Sequence, residues 1–273
     1  MAILQIENLS FGYQKKKVLK GITFSVERGE VFCIFGPNGC GKTTMLDCIL
    51  GLNKPDGGTI TIEGENAATL SPMEKAQKMA YVSQKSDRTF PYTVLEIVLM
   101  GRTAYAGIFS SPGRDDVIIA ENALNSVGML AFKDRIYTTL SGGEAQLVKI
   151  ARAIAQDTPV IIFDEPTSHL DFRHELNVIK YICKIVREKG ISVLMATHFP
   201  NHAYFFESFG LKTRVALMEN GVFGAVGPPS EVLSQSNMAK IFKVVTKNFR
   251  DYYNNRVLNF VVPIDFCAGG EWQ

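Results

Sequence analysis

Hydrophobic positions along the chain follow two periods. From Ile3 to Phe35 they recur at the short spacing of strands separated by turns, with Lys15-Lys16-Lys17 at a predicted hairpin tip. Val31-Phe32-Cys33-Ile34-Phe35 is an unbroken apolar run, suited to a buried strand. Thr59-Ile60-Thr61-Ile62 alternates as a half-buried strand between Gly57-Gly58 and Gly64. The period then lengthens. Stretches 93–100, 114–127 and 142–156 predict helices, and in the second Val117, Ala120, Leu124 and Val127 fall on one face. Strands return at 159–163 and 191–196 around an amphipathic helix over 174–188, where Leu176, Ile179, Ile182 and Ile185 or Val186 recur at helical spacing. The stretch 213–262 predicts strands with one or two short helices around 229–242. Strand–helix–strand alternation predicts an α/β fold with parallel strands and crossover helices. A helix-rich block from about 85 to 155 interrupts it, as a subdomain inserted into the α/β core would.

Composition and charge remove several alternatives. The 273 residues allow one large domain or two small ones, and 46% hydrophobic with 21% charged residues is ordinary for a globular protein. A net charge of +2 gives no basic face, so no nucleic-acid partner is expected. No apolar run reaches bilayer length, and Met1-Ala2-Ile3-Leu4-Gln5-Ile6-Glu7 has no signal-peptide pattern. A cytoplasmic protein is expected, free to sit on a membrane protein. Cysteines at 33, 40, 48, 183 and 267 form no CxxC pair, which fits reduced thiols and neither disulfides nor zinc.

Chemistry enters at Gly36-Pro37-Asn38-Gly39-Cys40-Gly41-Lys42-Thr43, which is Gly, four residues, Gly, Lys, Thr. Glycines let the backbone curl so that amides point at phosphate oxygens. Lys42 supplies charge for the β- and γ-phosphates of a nucleotide, and the Thr43 hydroxyl suits Mg²⁺. Thr44 follows in the first turn of a predicted helix whose N-terminus faces the anion. Pro159-Val160-Ile161-Ile162-Phe163-Asp164-Glu165-Pro166 is an apolar strand ending in two carboxylates. After a P-loop, Asp164 is expected to serve the metal through water, and Glu165 to polarise an attacking water. Leu140-Ser141-Gly142-Gly143-Glu144 opens another helix. It reads both as an anion-binding N-terminus and as a capping box between Ser141 and Glu144. Cys40 beside Lys42 and a helix N-terminus is expected to have a lowered pKa, with either a redox role or none beyond its small size.

With Leu140-Ser141-Gly142-Gly143-Glu144 between the other two motifs, the chain resembles the ABC ATPase family over nearly its whole length, Glu144 standing where Gln is commonest. The resemblance implies a P-loop NTPase core with a parallel sheet and an antiparallel β region, plus an inserted helical subdomain. It implies ATP and Mg²⁺ as ligands. It also implies that Ser141, Gly142 and Gly143 bind the γ-phosphate held by the P-loop of a second copy, in a head-to-tail dimer. Tyr13 matches the aromatic that stacks on adenine, with Phe11 as its rival; Gln84 matches the glutamine that touches Mg²⁺ and water at the edge of the helical subdomain. Asp171, in Ser168-His169-Leu170-Asp171, matches the loop linking the two sites, and His198 the switch histidine at the γ-phosphate. Partners implied are membrane permease subunits, gripped near Gln84 and 85–105, and indirectly a substrate-binding protein. A soluble ABC ATPase of another class would need two cassettes, a coiled coil or zinc cysteines. The stretch 227–273 is expected to be a short extension, smaller than the regulatory domain of maltose-type importer ATPases. Val94-Leu95-Glu96-Ile97-Val98-Leu99-Met100-Gly101-Arg102 and His198-Phe199-Pro200-Asn201-His202-Ala203 resemble the importers of iron chelates, haem and cobalamin, a group that includes those of molybdate or tungstate.

Overall fold

The computed structural model describes residues 2–14, 16–84, 90–105 and 112–267. In chain order the elements are β1 (Ala2–Tyr13), β2 (Lys16–Glu27), β3 (Val31–Phe35), α1 (Lys42–Leu50), β4 (Gly57–Ile62) and β5 (Glu65–Asn66). Then come α2 (Pro72–Lys78), β6 (Met79–Val82), α3 (Val94–Leu99), α4 (Arg114–Ser126), α5 (Gly142–Ala155), β7 (Val160–Asp164) and α6 (Phe172–Lys189). The chain continues through β8 (Ser192–Thr197), α7 (Asn201–Ser208), β9 (Thr213–Glu219), β10 (Val222–Gly227), α8 (Pro229–Val232), α9 (Gln235–Phe242), β11 (Val244–Tyr253) and β12 (Arg256–Phe266). They form two compact units, Met1–Ala68 with Val186–Gln273, and Thr69–Ile185.

In the first unit, β1 pairs antiparallel with β2 on one side and β4 on the other. Leu4, Ile6, Leu9 and Phe11 of β1 are buried; a register shift between Ile6 and Leu9 keeps the second pair on the core face. A second sheet carries β3 parallel to β8 and β9, with β10 antiparallel at the edge. Every residue of β3 and β8 is buried, the mark of parallel strands covered on both faces. A fully buried carboxylate closes the turn before β3. Glu30 accepts from the Glu27 amide at 2.7 Å and from the Arg214 guanidinium of β9, which also reaches the Ser25 carbonyl at 2.7 Å. β11 and β12 turn through Asn254 and Asn255, both left-handed, as a two-residue hairpin requires. The hairpin is fixed by Asn201 of α7, which bonds both the amide (2.8 Å) and the carbonyl (3.2 Å) of Val261.

In the second unit β6 and β7 run parallel, with Tyr81 opposite Ile162 and Val82 opposite Phe163. Helices α3, α4 and α5 pack together through Val94, Val98, Ala120, Leu124 and the buried face of α5. On the part of α6 in this unit, Ile179, Ile182 and Ile185 are buried, while Leu176, which the pattern places with them, is exposed in its early turns. Gly101 lies so close to α5 that a Cβ there would stand 2.4 Å from the Arg152 carbonyl oxygen. Next to it the nearly buried Arg102 donates to the Ala155 carbonyl at 2.8 Å and to Asp116 of α4 at 2.9 Å. The Val94–Arg102 stretch therefore fastens three helices to one another.

Helices α2, α3 and α5 all begin with a reciprocal capping box: Ser71 with Glu74, Thr93 with Glu96, Ser141 with Glu144. Each glutamate accepts the cap residue's amide at 2.7–2.8 Å, and that bond holds its carboxyl below the usual range. A depressed folded-state pKa gives stability that is present above the unfolded value of about 4.3 and is lost as pH falls through the folded one. The melting temperature is expected to fall below about pH 4 as these boxes open, and the Glu74→Gln variant to fall less steeply. Parallel acid profiles of the two, followed by circular dichroism, would contradict this.

Candidate functional site

The first unit carries the loop between β3 and α1. Gly36 is buried there, so closely packed that a Cβ would lie 2.3 Å from the Met218 carbonyl oxygen and 2.8 Å from Cys40 Sγ. Gly41 caps α1 at φ 112, a conformation closed to L side chains. It offers no side-chain cap to the first turn of α1, and a helix start of this kind suits an anion. Lys42 is 6% exposed, and its ammonium donates to the carbonyls of Gly36 (2.6 Å) and Pro37 (3.2 Å), bridging the loop. Both acceptors are neutral, so the bonds orient the charge without cancelling it. Asn38, Gly39 and Thr43 are exposed on the same loop and helix start, and Thr44 is half-buried.

Tyr13 ends β1 and is 52% exposed, set edge-on against Phe11 at 4.9 Å with its hydroxyl 3.2 Å from Asn53 Nδ2. Phe11 is buried in the sheet, which leaves Tyr13 as the aromatic with a ring face to offer. His198 follows β8, exposed, its ring 4.0 Å from that of Phe199. The turn beneath it is held by Thr197, whose hydroxyl oxygen accepts from the Phe199 amide at 3.1 Å and lies 3.2 Å from Nδ1 of buried His202. His202 lies in the His198–Ala203 stretch singled out in the sequence, but its contact with Thr197 from the first turn of α7 appears only with the fold.

The second unit carries the carboxylates. Asp164 is 2% exposed at the end of β7, with the Tyr81 hydroxyl 3.5 Å from its Oδ2. Glu165 adopts a left-handed conformation, φ 48, which costs a non-glycine residue about 1 kcal/mol. The turn that imposes it is fixed by Ser168, whose amide and hydroxyl both donate to the Glu165 carbonyl at 3.2 and 3.0 Å. The turn swings the Glu165 side chain out of the strand, where Gln84 Nε2 donates to its Oε2 at 3.0 Å. Lys149, buried on α5, anchors the end of β6 by donating to the Ser83 carbonyl at 2.7 Å. Gln84, 81 residues from Glu165 in sequence, thus meets the end of the adjacent Asp164–Glu165 pair in this unit.

Ser141 caps α5: its hydroxyl oxygen accepts from the Glu144 amide at 3.3 Å. Ser141 and Gly142 are exposed and Gly143 is buried. Asp171 precedes α6 and accepts from the His174 amide at 2.9 Å, a bond that holds its carboxyl below the usual range. His169, in the same loop, is exposed and left-handed at φ 65.

Cys40 departs from expectation. Its thiol is pushed up, not down, because burial outweighs the opposing charge of Lys42. Closeness to a cation was legible; closure over the thiol was not. The reactive-thiol reading is corrected accordingly. Cys33, Cys48 and Cys183 are also buried, and Cys267 is half-exposed. A maleimide at neutral pH is expected to label Cys267 before Cys40 in the native protein, as peptide mapping would show; Cys40 labelled first would contradict this.

Residues 19–168 match the model of the ABC transporter family. The hemin import ATP-binding protein of Rhizobium meliloti is 35% identical over 88% of this chain and 91% of its own. The molybdate import ATP-binding protein of Haemophilus influenzae is 32% identical over 96% of each. A solved structure described as a metal-chelate type ABC transporter in an inward-facing conformation superposes with a TM-score of 0.84 at 29% identity, covering 97% of this chain and 98% of the other. The chain belongs to the ABC transporter family. It has the ABC ATPase fold, binds adenine nucleotide and hydrolyses ATP.

Proposed function

We propose that the chain drives import of a metal chelate — an iron–siderophore, haem or cobalamin — through a separate membrane permease. It forms a single ATPase domain with a helical subdomain over about 85–155, and two copies sandwich ATP head to tail. The observation that carries the ATP-handling reading is the buried ammonium of Lys42, held by neutral carbonyls at the uncapped start of α1. Such a charge gains most from phosphate oxygens. The backbone of Gly36, Pro37, Asn38, Gly39, Cys40 and Gly41 wraps the phosphates, Thr44 supports the helix start, and Tyr13 stacks on the base. Thr43, Gln84 and, through water, Asp164 carry the oxygen donors that suit Mg²⁺, which would neutralise charge on the phosphates. Glu165, oriented by Gln84, accepts the proton of the attacking water. His198 contacts the γ-phosphate. Ser141, Gly142 and Gly143 contact the nucleotide of the second copy, and Asp171 links the two sites.

No helix among the described residues is long and apolar enough to cross a membrane. The subunit works at the cytoplasmic face, held by the permease and served indirectly by a substrate-binding protein. Phe90, Tyr92, Met100 and Tyr105 are all exposed along 90–105 and offer apolar contact to permease helices; residues 85–89 of that stretch lie outside those described. The chelate assignment draws on the hemin-importing relative and the metal-chelate type neighbour. The molybdate-importing relative supports an oxyanion as the second reading. Uptake by a strain lacking the gene separates them. Accumulation of a ferric chelate, haem or cobalamin is expected to fall, with molybdate, sugar and amino-acid uptake intact; loss of molybdate uptake alone would favour the second reading.

A further inference from the structure

We infer that His174 is a positioning residue for the phosphate contacts of the Ser141–Gly143 segment, its ring joining the start of α5 to the Asp171 loop. The inference rests on the role proposed above for that segment. Nδ1 of His174 lies 2.8 and 2.9 Å from the two carboxylate oxygens of Asp171, while the residue's own amide donates to the same carboxylate at 2.9 Å. Nδ1–H is the donor, and the two bonds together set the ring plane. The opposite edge of the ring lies against Gly143. A Cβ at that position would stand 2.0 Å from His174 Cδ2, 2.4 Å from Cγ and 2.8 Å from Nε2. Gly143 is helical and would tolerate alanine by backbone conformation alone, so the ring is what demands glycine there. The signature glycine and the loop carboxylate are therefore not independent. A displacement of Asp171 moves the ring, and the ring moves against the amide end of α5. A histidine three residues after the loop aspartate thereby ties the two segments that contact the second copy's nucleotide.

The test is a double-substitution cycle on the full chain, reading kcat and KM for MgATP together with melting temperature. Gly143→Ala is expected to lower kcat by about a hundredfold, the cost of a displacement on the order of an ångström at a reacting site. Adding His174→Ala removes the clash, and the double variant is expected to recover kcat by at least about fivefold over Gly143→Ala, with its melting temperature recovering in step. His174→Ala alone is expected to lower kcat by about tenfold and leave KM within about twofold, because each copy's own Lys42 loop sets affinity. His174→Asn, whose Nδ2–H can replace Nδ1–H, is expected to stay within about threefold of the parent kcat and provides the test should the alanine variant not fold. Unchanged kcat in His174→Ala would overturn the inference. So would a double variant whose stability recovers while its kcat does not, or His174→Asn as slow as His174→Ala. A parent protein without ATPase activity would instead refute the reading beneath it, while the melting cycle would still report the contact.

Discussion

Glu165→Gln is expected to bind MgATP as tightly as the parent and to hydrolyse it about 10²–10⁴-fold more slowly, the usual worth of a positioned general base. The geometry makes the substitution close to isosteric. A glutamine carbonyl at 165 can still accept from Gln84 Nε2, now 3.0 Å from Glu165 Oε2, and the left-handed turn is held by backbone and Ser168, not by the carboxylate. What is lost is the ability to take a proton from water. Single-turnover phosphate release would measure it. A variant hydrolysing ATP within about threefold of the parent rate would remove Glu165 from the reaction.

Lys42→Ala is expected to fail at the earlier step. Its ammonium is buried and already aimed across the loop by the Gly36 and Pro37 carbonyls, so phosphate gains a preorganised cation. Removing it leaves concentrated negative charge against a part-buried loop whose own remaining donors are amides. Affinity for ATP is expected to weaken by about a hundredfold, equivalent to about 2.7 kcal/mol, while the fold persists. The alanine also ends the two carbonyl bonds, so circular dichroism should accompany the titration with a fluorescent nucleotide. A dissociation constant within about threefold of the parent would show that the loop holds phosphate without this charge.

The two predictions differ in how far their residues could be read before the fold. Lys42 was legible because spacing alone defines the loop, and β3 and β7 were legible because strands covered on both faces are apolar throughout. The left-handed turn at Glu165 was not, since no composition encodes a positive φ in an acidic residue. Cys40 was misread because the cation beside it shows in sequence while the burial of its thiol appears only once the loop is folded. The demand for glycine at 143 looked like a matter of anion binding; the His174 ring, supplied by a helix opening some thirty residues later, gives a steric cause. The Val94–Arg102 pattern, read as a mark of the importer subgroup, proves internally employed: Val94 and Val98 are core, Glu96 caps α3, Gly101 allows close approach, and Arg102 ties α4 to α5. A pattern with those duties reports subdomain packing before it reports cargo, which is why the transported molecule is settled by uptake and not by these residues.

The central claim is that two copies complete one another's nucleotide sites. Sedimentation velocity of the Glu165→Gln chain, with and without MgATP, tests it most directly. The account predicts a monomer without nucleotide and a dimer with MgATP, reverting to monomer when Ser141→Arg places bulk and charge at the start of α5. A chain that binds MgATP and stays monomeric at every concentration, or dimerises equally without nucleotide, would contradict it.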